Sequence, residues 1–505
     1  MQKGQKKRLI LNTVSSLVFQ GVTIISGFIL PRLILANYGS DINGLVNSIS
    51  QFLGIISFLE LGVGAVIQSA LYKPLAEKDH DQVSRIIASG NRFFRRLAMI
   101  LLIYVVALIL FYPFAINKQF SFLYTGTLIA AMCISSFSQY YFGMTAILLL
   151  TADQKAYIQN VCMSALLLIN TFASVFIIKL GGSIQLVKLT TSLIFLIRPI
   201  ILRWYVNRHY RIDRRIQYEE EPIHQKWNGI AQHIAAVILD GTDTIVLTLL
   251  SSLSDVSIYG VYHLVVSGVR TLFLSMVGGI QSLLGELWAK QEIDQLRKTF
   301  DWTEWTIHTA VTFVFGCTAS LIVPFVRVYT LGVHDADYDV PLFAILITLA
   351  YAMFCYRQPY IIMILAGGHY KQTQKNYIFA AIINVVISVA TVKLCGLVGV
   401  AIGTLVAMLY QTIWMAWYDS KAFLNLPVRG FLKHMCVNAV CAVPAFLLCR
   451  LIQISQLTYL SWVILAVKHA AIWGAMVVII NLISYPEYMK TLIRRVKYNK
   501  LRKFK

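Results

Sequence analysis

The sequence predicts an all-α polytopic membrane protein of fourteen transmembrane helices, arranged as two parallel six-helix repeats with two C-terminal helices added. Three features carry that prediction. Hydrophobic residues fill 58% of the 505 positions and charged residues only 13%, where soluble domains run near a quarter charged; mean hydropathy is +0.68. The apolar residues come in runs long enough for the roughly 20 positions that cross a bilayer as a helix, without the alternation of barrel strands. The 44 lysines and arginines fall mostly between these runs.

The predicted spans are 9–36, 43–71, 97–116, 122–150, 157–180, 184–206, 228–252, 256–283, 303–328, 341–366, 376–394, 397–418, 431–453 and 459–484. The basic leader Lys3 to Arg8 runs into the first span without a small-residue cleavage site, so it reads as a retained helix. That span carries Asn12, Ser16, Gln20, Thr23 and Gly27 at helical spacing and ends at Pro31-Arg32. After the turn Asn37–Asn43, the second span holds Glu60, with Ser57, Gly64 and Gln68 on its face. A polar stripe turned to lipid costs several kcal/mol, so both stripes are expected to face protein or a wet cavity.

Lys118, Lys179, Arg327, Lys393 and Arg450 lie at the edges of one set of loops, and most other basic residues lie in the opposite set. This bias places both termini in the cytoplasm. The turn Asp335-Ala-Asp-Tyr-Asp339 is expected outside. Although the net charge is +21, its placement points to topology and anionic inner-leaflet lipid, not to nucleic acid.

Residues 207–227 form the longest strongly charged interior loop, from Arg211, Arg214 and Arg215 to Glu219-Glu-Glu221. The expected domains are a six-helix lobe at 1–206, this cytoplasmic linker, a second lobe at 228–420, and two further helices with a basic tail at 421–505. Internal repetition supports the cut. Asn170-x3-Ser-Val-x3-Lys-Leu-x-Gly182 recurs as Asn384-x3-Ser-Val-x3-Lys-Leu-x-Gly396. Asn12, Gly44 and Gly62 meet Asn228, Gly260 and Gly278 more loosely. Halves of this kind enclose a central site and rock about it in transporters.

No phosphate-binding G-x4-G-K-[ST] loop occurs, and no His/Cys cluster has metal-ligand spacing. The eight cysteines are scattered through spans and read as small buried hydrophobes. No nucleophile has a matched base. The chain is therefore expected to be neither an enzyme nor a holder of metal or cofactor.

The informative residues are charges left within the spans, each costly unless paired or hydrated. Among the acids these are Glu60, Asp240 and Asp243; the aspartates continue the stripe of Asn228 and Gln232, so spans 1 and 7 are expected to face one another across a cavity. Among the basic residues they are Arg32, Lys188, Arg198, Arg270, Arg357 and Lys468. Arg270 lies near mid-span, where two readings stand side by side: an ion pair with Asp240 or Asp243, or a cation displayed to an anionic substrate. Arg357 has Pro359 two residues on, which loosens the helix and frees backbone groups; the bland alternative is snorkelling to the interface. Snorkelling is the favoured reading for Arg32 and Lys188, whereas Lys468 is expected to be better buried. A guanidinium holds phosphate oxygens bidentately, which makes Arg270 and Arg357 the leading substrate contacts, with Arg32, Gln20 and Gln232 beside them. Asp243, Asp240 and Glu60 are the candidates for ion coupling or ion pairing.

Pro31-Arg-Leu-Ile-Leu-x-x-Tyr-Gly39, Asn43-Gly-Leu-Val and Glu60-Leu-Gly-Val-Gly64 together resemble the bacterial O-antigen and capsular-polysaccharide flippases of the multidrug/oligosaccharidyl-lipid/polysaccharide exporter superfamily. Thr242-Asp-Thr-Ile-Val with Val256-Ser-Ile-Tyr-Gly260 is similar to that family's second half. The resemblance implies MATE-like lobes in a bacterial cytoplasmic membrane. It further implies alternating-access transfer of undecaprenyl-pyrophosphate-linked oligosaccharide to the outer leaflet for surface polysaccharide. A polysaccharide polymerase and glycosyltransferases of the same pathway would be its partners. Two alternatives remain open: a cation-coupled small-molecule exporter, which Asp240 and Asp243 would suit, and a flippase for the peptidoglycan lipid precursor.

Overall fold

A computed structural model describes residues 3–116, 119–213, 216, 230–277, 280–424 and 428–503. Among these residues the regular structure is helical, without strands. The helices are α1 Lys3–Tyr38, α2 Ser40–Gly54, α3 Ser57–Glu77, α4 His80–Ile116, α5 Phe122–Ser138, α6 Met144–Ala152, α7 Ala156–Lys179, α8 Ile184–His209, α9 Ile230–Leu250 and α10 Leu253–Val277. They continue with α11 Ile280–Ala289, α12 Ile293–Tyr329, α13 Pro341–Tyr356, α14 Gln358–Ala366, α15 Tyr370–Asp419, α16 Arg429–Arg450, α17 Tyr459–Ser484 and α18 Pro486–Lys503. Eleven helices are long and apolar enough to cross a membrane, and the chain is a multi-pass membrane protein.

Several expected spans take a different form. Residues 43–71 do not make one helix: α2 ends at Gly54, a turn follows, and α3 begins at Ser57. Residues 341–366 divide at Arg357 into α13 and α14, with Pro359 in the first turn of α14. Residues 376–394 and 397–418 are two helices as expected, the two arms of α15: the chain reverses at Gly396, whose φ of 53° and ψ of −129° lie where a side chain is strained, and across the arms Asn384 donates to Thr404 at 3.1 Å and Thr391 to the Gly399 carbonyl at 2.9 Å. Both α4 and α12 begin well before their apolar spans, each reaching 37 residues.

The chain divides into two compact units, Met1–Ser257 and Ile258–Lys505. The division falls within α10, beyond the linker expected at 207–227, most of which lies outside the described residues. Helix α9, expected to open the second lobe, packs on α2 and α3. The contact is close: a Cβ on Gly241 would overlap the side chain of Gln51, and one on Gly44 would overlap the carbonyl of Leu253.

In the first unit α1 lies along α7. The packed polar positions are Asn12, which belongs to the predicted stripe, and Ser15 and Ser26, each one residue before a stripe position. Asn12 accepts from the Tyr157 amide at 2.8 Å, and Thr171 donates to Ser26 at 2.9 Å. Ser16 and Thr23 stay exposed. Loops expected on one membrane side meet at one end: Asp153 lies 3.3 Å from Arg8 and 2.7 Å from Lys155, and accepts from Tyr210 at 2.5 Å. Burial and the Asp153 carboxylate push the Tyr210 phenol up. At the other end the Tyr38 hydroxyl donates to the Gly182 carbonyl at 2.5 Å.

In the second unit the two appended helices dock on α12. Trp473 of α17 is 1% exposed, donates to Ser320 at 3.0 Å, and lies so close to Gly316 that a Cβ there would overlap its ring. Trp305 donates to Asn481 at 2.8 Å. Lys468, expected to be buried, is exposed: α17 turns Leu465, His469 and Trp473 inward, which leaves position 468 outside.

Candidate functional site

The break between α13 and α14 positions the leading candidate. At this junction Arg357 keeps helical backbone angles, its amide donating to the Met353 carbonyl at 3.2 Å, and its side chain turns inward, where it is 2% exposed. It is therefore not a snorkelling residue. Its Nη1 donates to Gln411 Oε1 and lies 3.7 Å from the Met408 sulfur, both on α15. The guanidinium sits 4.8 Å from the centroid of Phe354. Arg270, half-buried on α10, sits 5.1 Å from the same ring and 5.1 Å from the ring of Tyr351.

The two arginines chosen from sequence thus share one aromatic side chain. Cation–π contacts contribute about 0.5–2 kcal/mol, most where water is excluded. Aromatic groups continue outward: His263 stacks on Tyr259 at 5.4 Å and meets Tyr351 edge-on at 5.6 Å. The shared ring and Gln411 hold the guanidiniums in place. Two like charges so close favour a bound anion.

The first unit places Glu60 in the opening turn of α3, where it accepts from the Tyr140 hydroxyl and feels the charge of Arg198. Arg198, on α8, donates to Gln139 at 3.3 Å. Gln139, Tyr140 and Arg198 line a cavity of about 220 Å³ with Ser135 and Ser136. Gln20 and Arg32 are half-buried on α1, separated by about 18 Å of helix, so they do not form one cluster. Asp243 is 2% exposed on α9. The side chains of Gln232 and Asp240 lie outside the described residues.

The sequence reading missed a second set of buried charges. Glu304 on α12 is 7% exposed and Asp419, closing α15, is 0% exposed. Tyr360 donates to Glu304 Oε1 at 2.5 Å, and His434 Nε2 lies 3.9 Å from Glu304 Oε2. His434 Nδ1 is 2.8 Å from the Tyr485 hydroxyl; burial, then the Glu304 carboxylate, pushes that phenol up. Among the described residues neither carboxylate oxygen of Asp419 has a hydrogen-bond partner. With Asp301 and Lys433 these residues line a cavity of about 280 Å³. A signal was present: Asp301, Glu304 and His308 recur on one face where α12 turns apolar. Asp419 carries no such mark, since it stands beyond the last apolar residue of its span.

No protein-family model and no curated protein sequence matches the chain. Solved structures do match in fold. One is the lipid II flippase MurJ in an inward closed conformation, with a TM-score of 0.69 and 13% identity, covering 95% of this chain and 100% of that one. Another is a multidrug resistance MATE family transporter of the MOP superfamily, inward-facing, with a TM-score of 0.60 and 14% identity over 82% of this chain and 97% of that one. A third is a MOP superfamily transporter from Pyrococcus furiosus, described as having a binding pocket of reversed polarity. It has a TM-score of 0.56 and 14% identity over 82% and 96%. The chain has the fold these transporters share.

Proposed function

We propose that this chain is a flippase that carries a lipid-linked oligosaccharide, joined through pyrophosphate, across the bacterial cytoplasmic membrane by alternating access. The observation that carries the reading is the Arg270–Phe354–Arg357 cluster. Two planar guanidiniums set on one ring offer a diphosphate several charge-assisted hydrogen bonds. A neutral or cationic drug would gain nothing from them. The fold shared with a lipid II flippase is compatible with the same headgroup chemistry, and a peptidoglycan lipid precursor would present it as well.

The test uses protein reconstituted in liposomes with a fluorescent prenyl-diphosphate-linked sugar, reading accessibility of the label to an external quencher. Arg270→Ala or Arg357→Ala is expected to abolish transfer with protein still in the membrane. Lysine at either position keeps charge but loses the fork, so partial loss is expected. Transfer at the wild-type rate in both alanine variants would refute the reading.

A cation-coupled small-molecule exporter is the second reading, favoured by the buried Glu304 and Asp419 carboxyls. It predicts cation-gradient-dependent efflux of an organic cation from the same liposomes, lost in Asp419→Asn and retained in Arg357→Ala.

A further inference from the structure

In the unit Met1–Ser257 a cavity of about 830 Å³ is lined by none of the residues assigned above. Arg92, Arg95 and Arg96 enter it from α4 and Arg203 from α8. Their i, i+3, i+4 spacing puts the three α4 arginines on one face. Two of the four are held by rings from the π-helical segment Gln139–Gly143 that joins α5 to α6: Arg95 lies 5.3 Å from the Tyr141 centroid, and Arg203 5.8 Å from that of Phe142. Asn91 accepts from Thr145 at 2.8 Å, leaving its amide nitrogen to donate. Asp213 alone among the lining residues is acidic.

The remaining wall is apolar. One to two turns beyond the arginines, α4 brings Met99 and Ile100 into the lining, 49% and 52% exposed. Four cations with an apolar flank open to the surroundings form an amphiphilic cradle. A soluble anion would use only the arginines. A lipid uses both parts, its phosphate on the guanidiniums and its chain along α4.

The geometry points to a docking site for the diphosphate head of an anionic prenyl lipid at the end of this unit where α8 runs into the linker. The choice of diphosphate rests on the function proposed above; the lipid character rests on the cavity itself.

The test measures binding, not transfer. The full chain in phosphatidylcholine nanodiscs is titrated with farnesyl diphosphate and, separately, with inorganic pyrophosphate, read by native mass spectrometry. Farnesyl diphosphate is expected to bind more tightly than pyrophosphate, and Arg95→Gln with Arg203→Gln to weaken it at least about tenfold. Lysine at both positions should fall between. Arg85→Gln, on the same helix end but outside the cavity, should bind as wild type and serve as a check for loss of basic charge alone. An unchanged affinity in the glutamine variant, with a wild-type elution profile, overturns the proposal. Equal affinity for pyrophosphate overturns the lipid source and makes this a free-anion site. Headgroup binding that persists in a protein unable to flip would count against the transport reading and leave the docking site standing.

Discussion

Each unit sets a glutamate against a tyrosine, Glu60 half-buried and Glu304 buried, and the two differ in what stands behind the pair. In the first unit Glu60 meets Tyr140 and the permanent cation Arg198. In the second, Glu304 meets Tyr360 and His434, with the carboxylate of Asp419 buried in the same cavity. The first arrangement sets one acid in the field of one cation; the second gathers Asp301, Glu304 and Asp419 around Tyr360 and His434, with Lys433 the single lysine or arginine in the cavity lining. Deleting an acid should therefore cost stability in one unit and relieve it in the other, although the pairs look alike at the tyrosine.

The largest effect is expected at Arg198→Gln. Half-buried Glu60 would then lose the cation whose field favours its charge, a cost of about 2–3 kcal/mol, short of the roughly 3–5 kcal/mol of a contacting buried pair. Thermal unfolding in detergent measures it, and Glu60→Gln added to Arg198→Gln should recover most of the loss. Failure of that rescue would mean that the pair is not the unit of stability. Asp419→Asn should act in the opposite direction, raising stability on the order of 1 kcal/mol by removing one of two neighbouring carboxylates. A clear drop in melting temperature there would mean that Asp419 is matched by a cation after all, and the contrast would collapse.

The repeated string sharpens the comparison further. Asn170 and Ser174, like Asn384 and Ser388, are buried, and in both units the chain turns at the glycines that follow. In the first unit Gly181 takes a φ of 75° and Ser183 caps a new helix at the Leu186 amide. In the second, the chain reverses directly at Gly396, and Ser388 of one arm donates to the Val400 carbonyl of the other at 3.4 Å. Gly396→Ala is expected to cost about 1–3 kcal/mol. Gly181→Ala should cost about 1 kcal/mol, because left-handed backbone in a turn is less strained for alanine. Equal melting shifts for the two would mean that Gly396 is not the strained hinge its backbone angles describe.

Much of the fold was legible along the chain because membrane insertion is read locally. A long apolar run forces a helix whatever its neighbours are, since its backbone polar groups have no water to bond. The interruption at Pro359 was legible for a related reason, as a proline withholds its own amide from the ladder. The break after Gly54 was not, because nothing in an apolar stretch says that α2 must stop; its close approach to the Leu253 carbonyl exists only once the unit is assembled.

Among the site residues, charge within a span was enough to single out Arg270, Arg357 and Glu60, since burying a charge is costly for any sequence context. Their partners were not visible. Phe354 is one of 27 phenylalanines, and its role as the ring shared by two arginines follows from a helix break that turns Arg357 inward toward Gln411. Asp419 was passed over because hydropathy treats the end of a span as wet. Only packing against α12, α16 and the residues after α17 closes water away from it. The sequence by itself determined which segments lie in the membrane and which charges must find an answer there. The tertiary structure decided what answers them, because a salt bridge, a cation–π contact or a buried carboxyl depends on side chains brought together from distant helices, and no local periodicity records that distance.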